Sequence, residues 1–127
     1  MMLFKKLLTT KQKGDYGENK AAAYLKRKGY KILERNYRTR FGEIDIIACK
    51  KDVVAFVEVK ARSNDDYGTP AEAVDFRRQC RMCRTAKFYM MDKEEASVRF
   101  DVIEVYLNDG RINHYEDAFY YTEGYGC

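Results

Sequence analysis

What this sequence has little of narrows the field first. It carries one proline and one histidine in 127 residues. With no linker, no internal repeat and 46% apolar residues, it does not belong to the disordered class. No apolar run approaches the roughly 20 residues that cross a bilayer, so no membrane association is expected. The opening MMLFKKLLTTKQK has too short an apolar piece for a secretory signal, and no small-residue cleavage site follows it. It reads as a basic arm over residues 1–13, ahead of one domain at 14–119 and a tail at 120–127. A structural zinc is excluded as well, because four ligands are needed and only one CxxC, Cys80 to Cys83, accompanies the single histidine. That pair sits inside a helical pattern, where core packing is expected. With no export signal, a reducing cytoplasm is the expected compartment. The formal net charge of +4 is too modest to indicate nucleic acid by itself.

What is present is an alternation of periods. Asp15 to Lys28 reads as a helix capped by Asp15 and ended by Gly29. Residues 30–37, 43–49 and 53–60 are β-rich, the last two separated by the turn candidates Lys51 and Asp52. Thr69-Pro70-Ala71-Glu72 has the form of a capping box with proline at the first helical position, opening a helix to about Met91. Residues 98–107, the turn Asn108-Asp109-Gly110 and residues 112–115 read as a closing hairpin. The order α-β-β-β-α-β-β predicts an α/β fold with helices covering a central mixed sheet.

The residues that carry information are charges the periodicity points inward. On the first helix Glu18 falls in the stripe of Ala21, Ala22 and Leu25. On the second strand, alternation groups Glu43, Asp45 and Ile47 on one face and Ile44, Ile46 and Ala48 on the other. On the third, Val54, Phe56, Glu58 and Lys60 share a face that turns abruptly polar. A turn at 51 and 52 sets Asp45 opposite Glu58, and Glu43 opposite Lys60. Opposed carboxylates repel across ~5 Å, and a divalent cation relieves that repulsion. Such hard oxygen donors suit Mg²⁺ or Mn²⁺, and Lys60 on the same side is placed to orient a water or stabilise a phosphate. An internal salt-bridge cluster, with Glu43 on Lys60 and Asp45 on an arginine, accounts for the same spacing.

The second long helix adds a choice of its own. Phe76, Met82, Cys83, Ala86 and Met90 form its apolar stripe, and Gln79 falls within it. A polar side chain pointing inward needs a partner, and the carboxylate cluster would provide one. Arg77, Arg78, Arg81 and Arg84 spread over another face, which is either a solvated surface or a phosphate-backbone contact.

Taken together these residues resemble a known pattern. Asp45 followed by Glu58-Val59-Lys60 resembles the D…(D/E)xK signature of the PD-(D/E)xK nuclease superfamily. Glu18 matches the extra acid of its Holliday-junction-resolvase-like branch. More closely, GDYGENKAAAYLKRKGYKILERNYRTRFGEIDIIA, FVEVKAR and RFDVIEV resemble the YraN-like family of bacterial proteins over nearly all of residues 14–119. The resemblance implies a restriction-endonuclease-like αβββαβ core. It also implies Asp45 and Glu58 as metal ligands with Glu18 beside them, Lys60 as the catalytic lysine, and Gln79 lining the site. Ile44 stands where the superfamily's proline would be, and Arg78 where similar sequences often carry lysine. The function so implied is Mg²⁺- or Mn²⁺-dependent hydrolysis of DNA, branched DNA included, by a homodimer if the substrate is a two-fold symmetric junction. The rival expectations are a catalytically silent nucleic-acid-binding or scaffold protein and an RNA-directed nuclease.

Overall fold

Thr9, not Asp15, opens the first helix. In the computed structural model, which describes residues 8–63, 74–121 and 127, helix α1 spans Thr10–Arg27. The Gln12 amide donates to the Thr9 hydroxyl at 3.1 Å, and the Thr9 amide donates to the Gln12 side chain at 2.9 Å. This reciprocal cap satisfies two donors that any helix start leaves unpaired. Asp15 lies inside the helix and pairs with Lys11 at 2.9 Å. Gly29 closes the helix with φ +96°, a left-handed conformation open to glycine.

Three antiparallel strands follow: β1 (Lys31–Thr39), β2 (Gly42–Lys50) and β3 (Val53–Arg62). Helix α2 (Phe76–Met90) then leads to β4 (Ser97–Tyr106), which lies parallel to β3, and β5 (Ile112–Phe119) returns antiparallel. The five strands form one sheet in chain order. Helix α1 packs Ala21, Ala22 and Leu25 against Ile46, Val57 and Ile103 on one face. Helix α2 packs Met82, Cys83 and Ala86 against Ile47, Phe56 and Phe100 on the other. The expected helix-flanked mixed sheet is the fold. Among the described residues no helix is long and apolar enough to cross a membrane.

Several expectations are corrected. In β2 the alternation slips at Asp45: Ile44 packs with Ile47 under α2, while Ile46 and Ala48 pack under α1. The neighbouring stretch of β1 holds Asn36 with φ +52°, a local twist that turns both strands over at one point. The capping box at Thr69–Glu72 lies outside the described residues. The observed α2 begins later, because Asp75 is extended (φ −66°, ψ 165°) and caps the Arg78 amide at 2.8 Å. Phe76 is therefore at the helix start and exposed, not in the core. Cys83 is buried as expected, but Cys80 forms a disulfide with Cys127, their Cα atoms 5.6 Å apart.

The sheet also buries a charge network that patterning did not announce. Asp101, fully buried on β4, accepts from Arg99 at 2.8 and 2.9 Å and from the Asp117 amide at 3.1 Å. His114 Nε2 lies 2.7 Å from Asp101, and His114 Nδ1 lies 3.1 Å from the Tyr24 hydroxyl. A second hydroxyl, from Tyr30, meets Arg99. Burial opposes the charge on Asp101, but His114, Arg99 and the backbone donor outweigh it and hold the carboxyl below its usual value. Its contribution to stability is therefore present above pH ~4 and is lost as pH falls through the depressed folded-state value. Asp101→Asn is expected to destabilise the protein by about 3 kcal/mol at pH 7, since it breaks a buried ion pair and leaves Arg99 only the longer, exposed contact with Glu116 at 3.8 Å. Denaturant titrations should show that difference shrinking below pH ~4.

Candidate active site

The hairpin register expected from the turn holds from Lys50↔Val53 through Ile46↔Val57. One pair further, Asp45 would face Glu58, but there the ladder ends. The Val59 amide donates to Asp45 Oδ2 at 2.8 Å, a side chain standing where the next strand's carbonyl would stand. Strand β3 stays fixed past this point, because β4 pairs with it along its whole length, from Val53 to Arg62. The two strands thus part at Asp45, and Glu58 and Lys60 sit on the rigid side of the opening.

Glu58 is buried, its side chain 4% exposed. Its Oε1 accepts from Arg78 Nη2 of α2 at 2.8 Å, and Lys60 Nζ lies 3.4 Å from Oε2. Asp45 has one amide donor and a like charge beside it. Burial first, and then the charge of Glu58, push its carboxyl up to about 7, against the pull of the Val59 amide and Arg78. Glu18 is near enough to add to that rise, but its Oε1 accepts from Arg35 and Asn36, each at 3.0 Å. Among the described residues no three acidic, histidine or cysteine side chains converge to enclose a metal ion. The donor set nonetheless suits Mg²⁺, which binds through one or two carboxylates and completes its shell with water and phosphate oxygens. Asp45 and Glu58 are the pair that fits.

The other sequence candidates divide. Gln79 does not reach the carboxylates; its Nε2 donates to the Val74 carbonyl at 2.8 Å and anchors the segment entering α2. Arg78, grouped from sequence with the surface arginines, is the α2 side chain that turns inward. Its Nε is buried without a hydrogen-bond partner among the described residues. Arg77, Arg81 and Arg84 are exposed. Glu43 pairs with Arg38 at 2.9 Å rather than with Lys60. Arg38, Glu43, Arg78 and Arg81 line a cleft of about 240 Å³ between the β1–β2 turn and α2. The cleft depends on Gly42 (φ +148°), where an added Cβ would lie 3.2 Å from Arg81 Cβ. Sequence reasoning missed the inward turn of Arg78 because a long side chain at the edge of a helix face can reach either way. The extended Asp75 that sets its phase is invisible to periodicity.

Comparison with known proteins gives one consistent answer. The profile described as uncharacterised protein family UPF0102 matches residues 17–105. A UPF0102 protein of Clostridioides difficile (strain 630) is 49% identical over 114 residues, covering 88% of this chain and 100% of the relative. One from Clostridium acetobutylicum is 50% identical over 111 residues, covering 86% and 87%. A third, from Persephonella marina, is 44% identical over 109 residues, covering 84% and 92%.

The strain at Asp45 is open to measurement. Asp45→Asn keeps an acceptor for the Val59 amide and removes a charge that burial and Glu58 oppose. The raised folded-state value means the wild-type penalty is present above pH ~7 and fades as Asp45 protonates toward its unfolded value near 4. The variant should be more stable than wild type by about 2 kcal/mol at pH 8 without added metal, and the gap should narrow below pH ~7 and close by pH ~4. Thermal denaturation across that range decides it; a gap independent of pH would contradict the electrostatic origin.

Proposed function

The chain belongs to the uncharacterised protein family UPF0102, the YraN-like family its motifs resemble, and we propose that it is a divalent-metal-dependent nuclease hydrolysing phosphodiester bonds in DNA, branched DNA included. The observation that carries this reading is the parting of β2 from β3 at Asp45. It leaves half-buried Asp45 and buried Glu58, with Lys60 beside it, at the end of the ladder, and Arg78, which pairs with Glu58, also lines the neighbouring arginine-rimmed cleft.

Asp45 and Glu58 are the residues that would hold Mg²⁺ or Mn²⁺, with Glu18 behind them. The ion, when bound, supplies Lewis acidity at the phosphate and a more acidic water. The chain's own groups do the rest. Lys60, beside Glu58, is placed to orient the attacking water and to offset charge on the phosphate. Arg78 has a buried Nε with no hydrogen-bond partner among the described residues, and a phosphate oxygen would supply a charge-assisted acceptor for it. Exposed Arg77, Arg81 and Arg84 give the duplex backbone a place to lie. On a four-way junction, the two-fold symmetry of the substrate calls for two copies of the chain.

The ion pairs of Glu58 with Arg78 and Lys60 also favour a second reading, in which the charges neutralise one another and the protein binds nucleic acid without turnover. Assays with linear, flapped and four-way DNA, and with RNA competitor, separate the two. On the nuclease reading, Mg²⁺ or Mn²⁺ raises Tm and supports cleavage. Asp45→Asn and Glu58→Gln abolish both effects while DNA binding persists, and Lys60→Ala slows cleavage by about 100-fold or more. Equal metal-induced Tm shifts in wild type and both carboxylate variants, with no cleavage of any substrate, would establish the binding reading instead.

A further inference from the structure

The arginine-lined cleft does not end at Arg81. It continues around the β1–β2 turn into two shallow concavities that share Arg40, Phe41 and Phe88. Phe88, towards the end of α2, is 47% exposed, and its ring faces solvent beside the β1–β2 turn. Phe41, half-buried in the turn, lies beside it with ring centroids 6.0 Å apart and planes at 57°. The Arg40 guanidinium sits 5.0 Å from the Phe41 ring. Arg84 and Lys87 of α2 complete the rim. Among the described residues no carboxylate lines either concavity.

We propose that this basic, aromatic surface is the path of an unpaired nucleic-acid strand, whose bases stack on Phe88 and Phe41 while Arg40, Arg84 and Lys87 follow its phosphates. Cations interleaved with solvent-facing rings are what a single strand requires: the rings offer every base a stacking face, and the charges track the backbone without reading sequence. A fully paired duplex keeps its base faces stacked inside and gains nothing from the rings. A second copy of the chain fits poorly, because a two-fold interface here would set Arg84 and Lys87 against their own counterparts. A peptide with acidic and apolar residues would meet the same chemistry. What favours nucleic acid is that the surface runs, through Arg38 and Thr39, into the cleft of Glu43 and Arg78.

This inference rests on the nuclease reading for its consequence, which is a substrate class. The scissile phosphate would adjoin a single-stranded stretch, as in a flap or a branched DNA with an unpaired arm, and not in continuous duplex.

The test measures binding and cleavage separately on the full chain. Anisotropy titrations in EDTA use a labelled oligothymidylate and a duplex of the same length. Phe88→Ala is expected to weaken oligothymidylate binding about 10-fold, with little change for duplex, and Phe88→Trp to restore it. Arg40→Ala should lower the salt slope on the single strand by about 0.7. With Mg²⁺, Phe88→Ala should also erase any preference for flapped over fully paired DNA. Unchanged Tm confirms that the exposed substitution leaves the fold intact. Equal losses on single strand and duplex, or none on either, would overturn the proposal even if DNA is cleaved. So would a dimer, seen by sedimentation, that Phe88→Ala dissociates without affecting oligonucleotide affinity. If no DNA is cleaved yet the Phe88 series behaves as stated, the strand path stands and the nuclease reading falls.

Discussion

Much of the molecule's design follows from one hydrogen bond, donated by the Val59 amide to the Asp45 carboxylate. A sheet hydrogen bond normally joins two backbones, and here a side chain takes one end of it. The β2–β3 ladder therefore stops one residue short of Asp45, while β3 continues under the uninterrupted pairing of β4. The opening is confined to one side. Glu58 and Lys60 remain on the best-supported strand of the sheet, and Asp45 is fixed by an amide that belongs to that same strand. Asn36, with its left-handed backbone, twists the adjoining stretch of β1 and lets Ile44 turn back under α2. A regular ladder would have left no reason for the alternation to slip.

Two aspartates of the sheet, Asp101 fully buried and Asp45 half-buried, show what separates a structural charge from a chemical one. Asp101 meets a guanidinium, an imidazole and an amide, and its charge is held low and satisfied. Asp45 meets one amide and a second carboxylate, and is pushed up to about 7. The same residue type, in the same sheet, is driven in opposite directions by its neighbours. A fully compensated network locks β4, β5 and α1 together. An incompletely compensated pair of carboxylates is the kind of arrangement that marks functional sites. Glu58, beside Asp45, carries ion pairs with both Arg78 and Lys60.

Helix α2 joins the site to the surface. Its phase is set by extended Asp75, and that phase sends Arg78 to Glu58 while leaving Arg77, Arg81 and Arg84 outside. Gly42 allows the β1–β2 turn to approach Arg81 closely, so the arginine helix and the turn close into one cleft instead of lying apart. Phe88 extends the same helix face beyond the cleft, where its ring meets Phe41 of the turn.

The sequence by itself determined the order of elements, the helix-flanked mixed sheet, the hairpin register around Lys51 and Asp52, and the inward placement of Glu18 and Glu58. These depend on periodicity, capping and turn chemistry, which are local and act wherever the residues occur. The ordered motifs also led to the family. The tertiary structure alone decided where the β2–β3 ladder stops, which of the four arginines faces inward, and which carboxylates are already engaged. Glu18 turned to Arg35 and Asn36, Gln79 to the Val74 carbonyl, and Cys80 to Cys127. Each of these outcomes is a competition among polar partners brought together from distant parts of the chain. Patterning fixes the face from which a side chain starts, but the partner it reaches depends on geometry that exists only once the sheet and helices have packed.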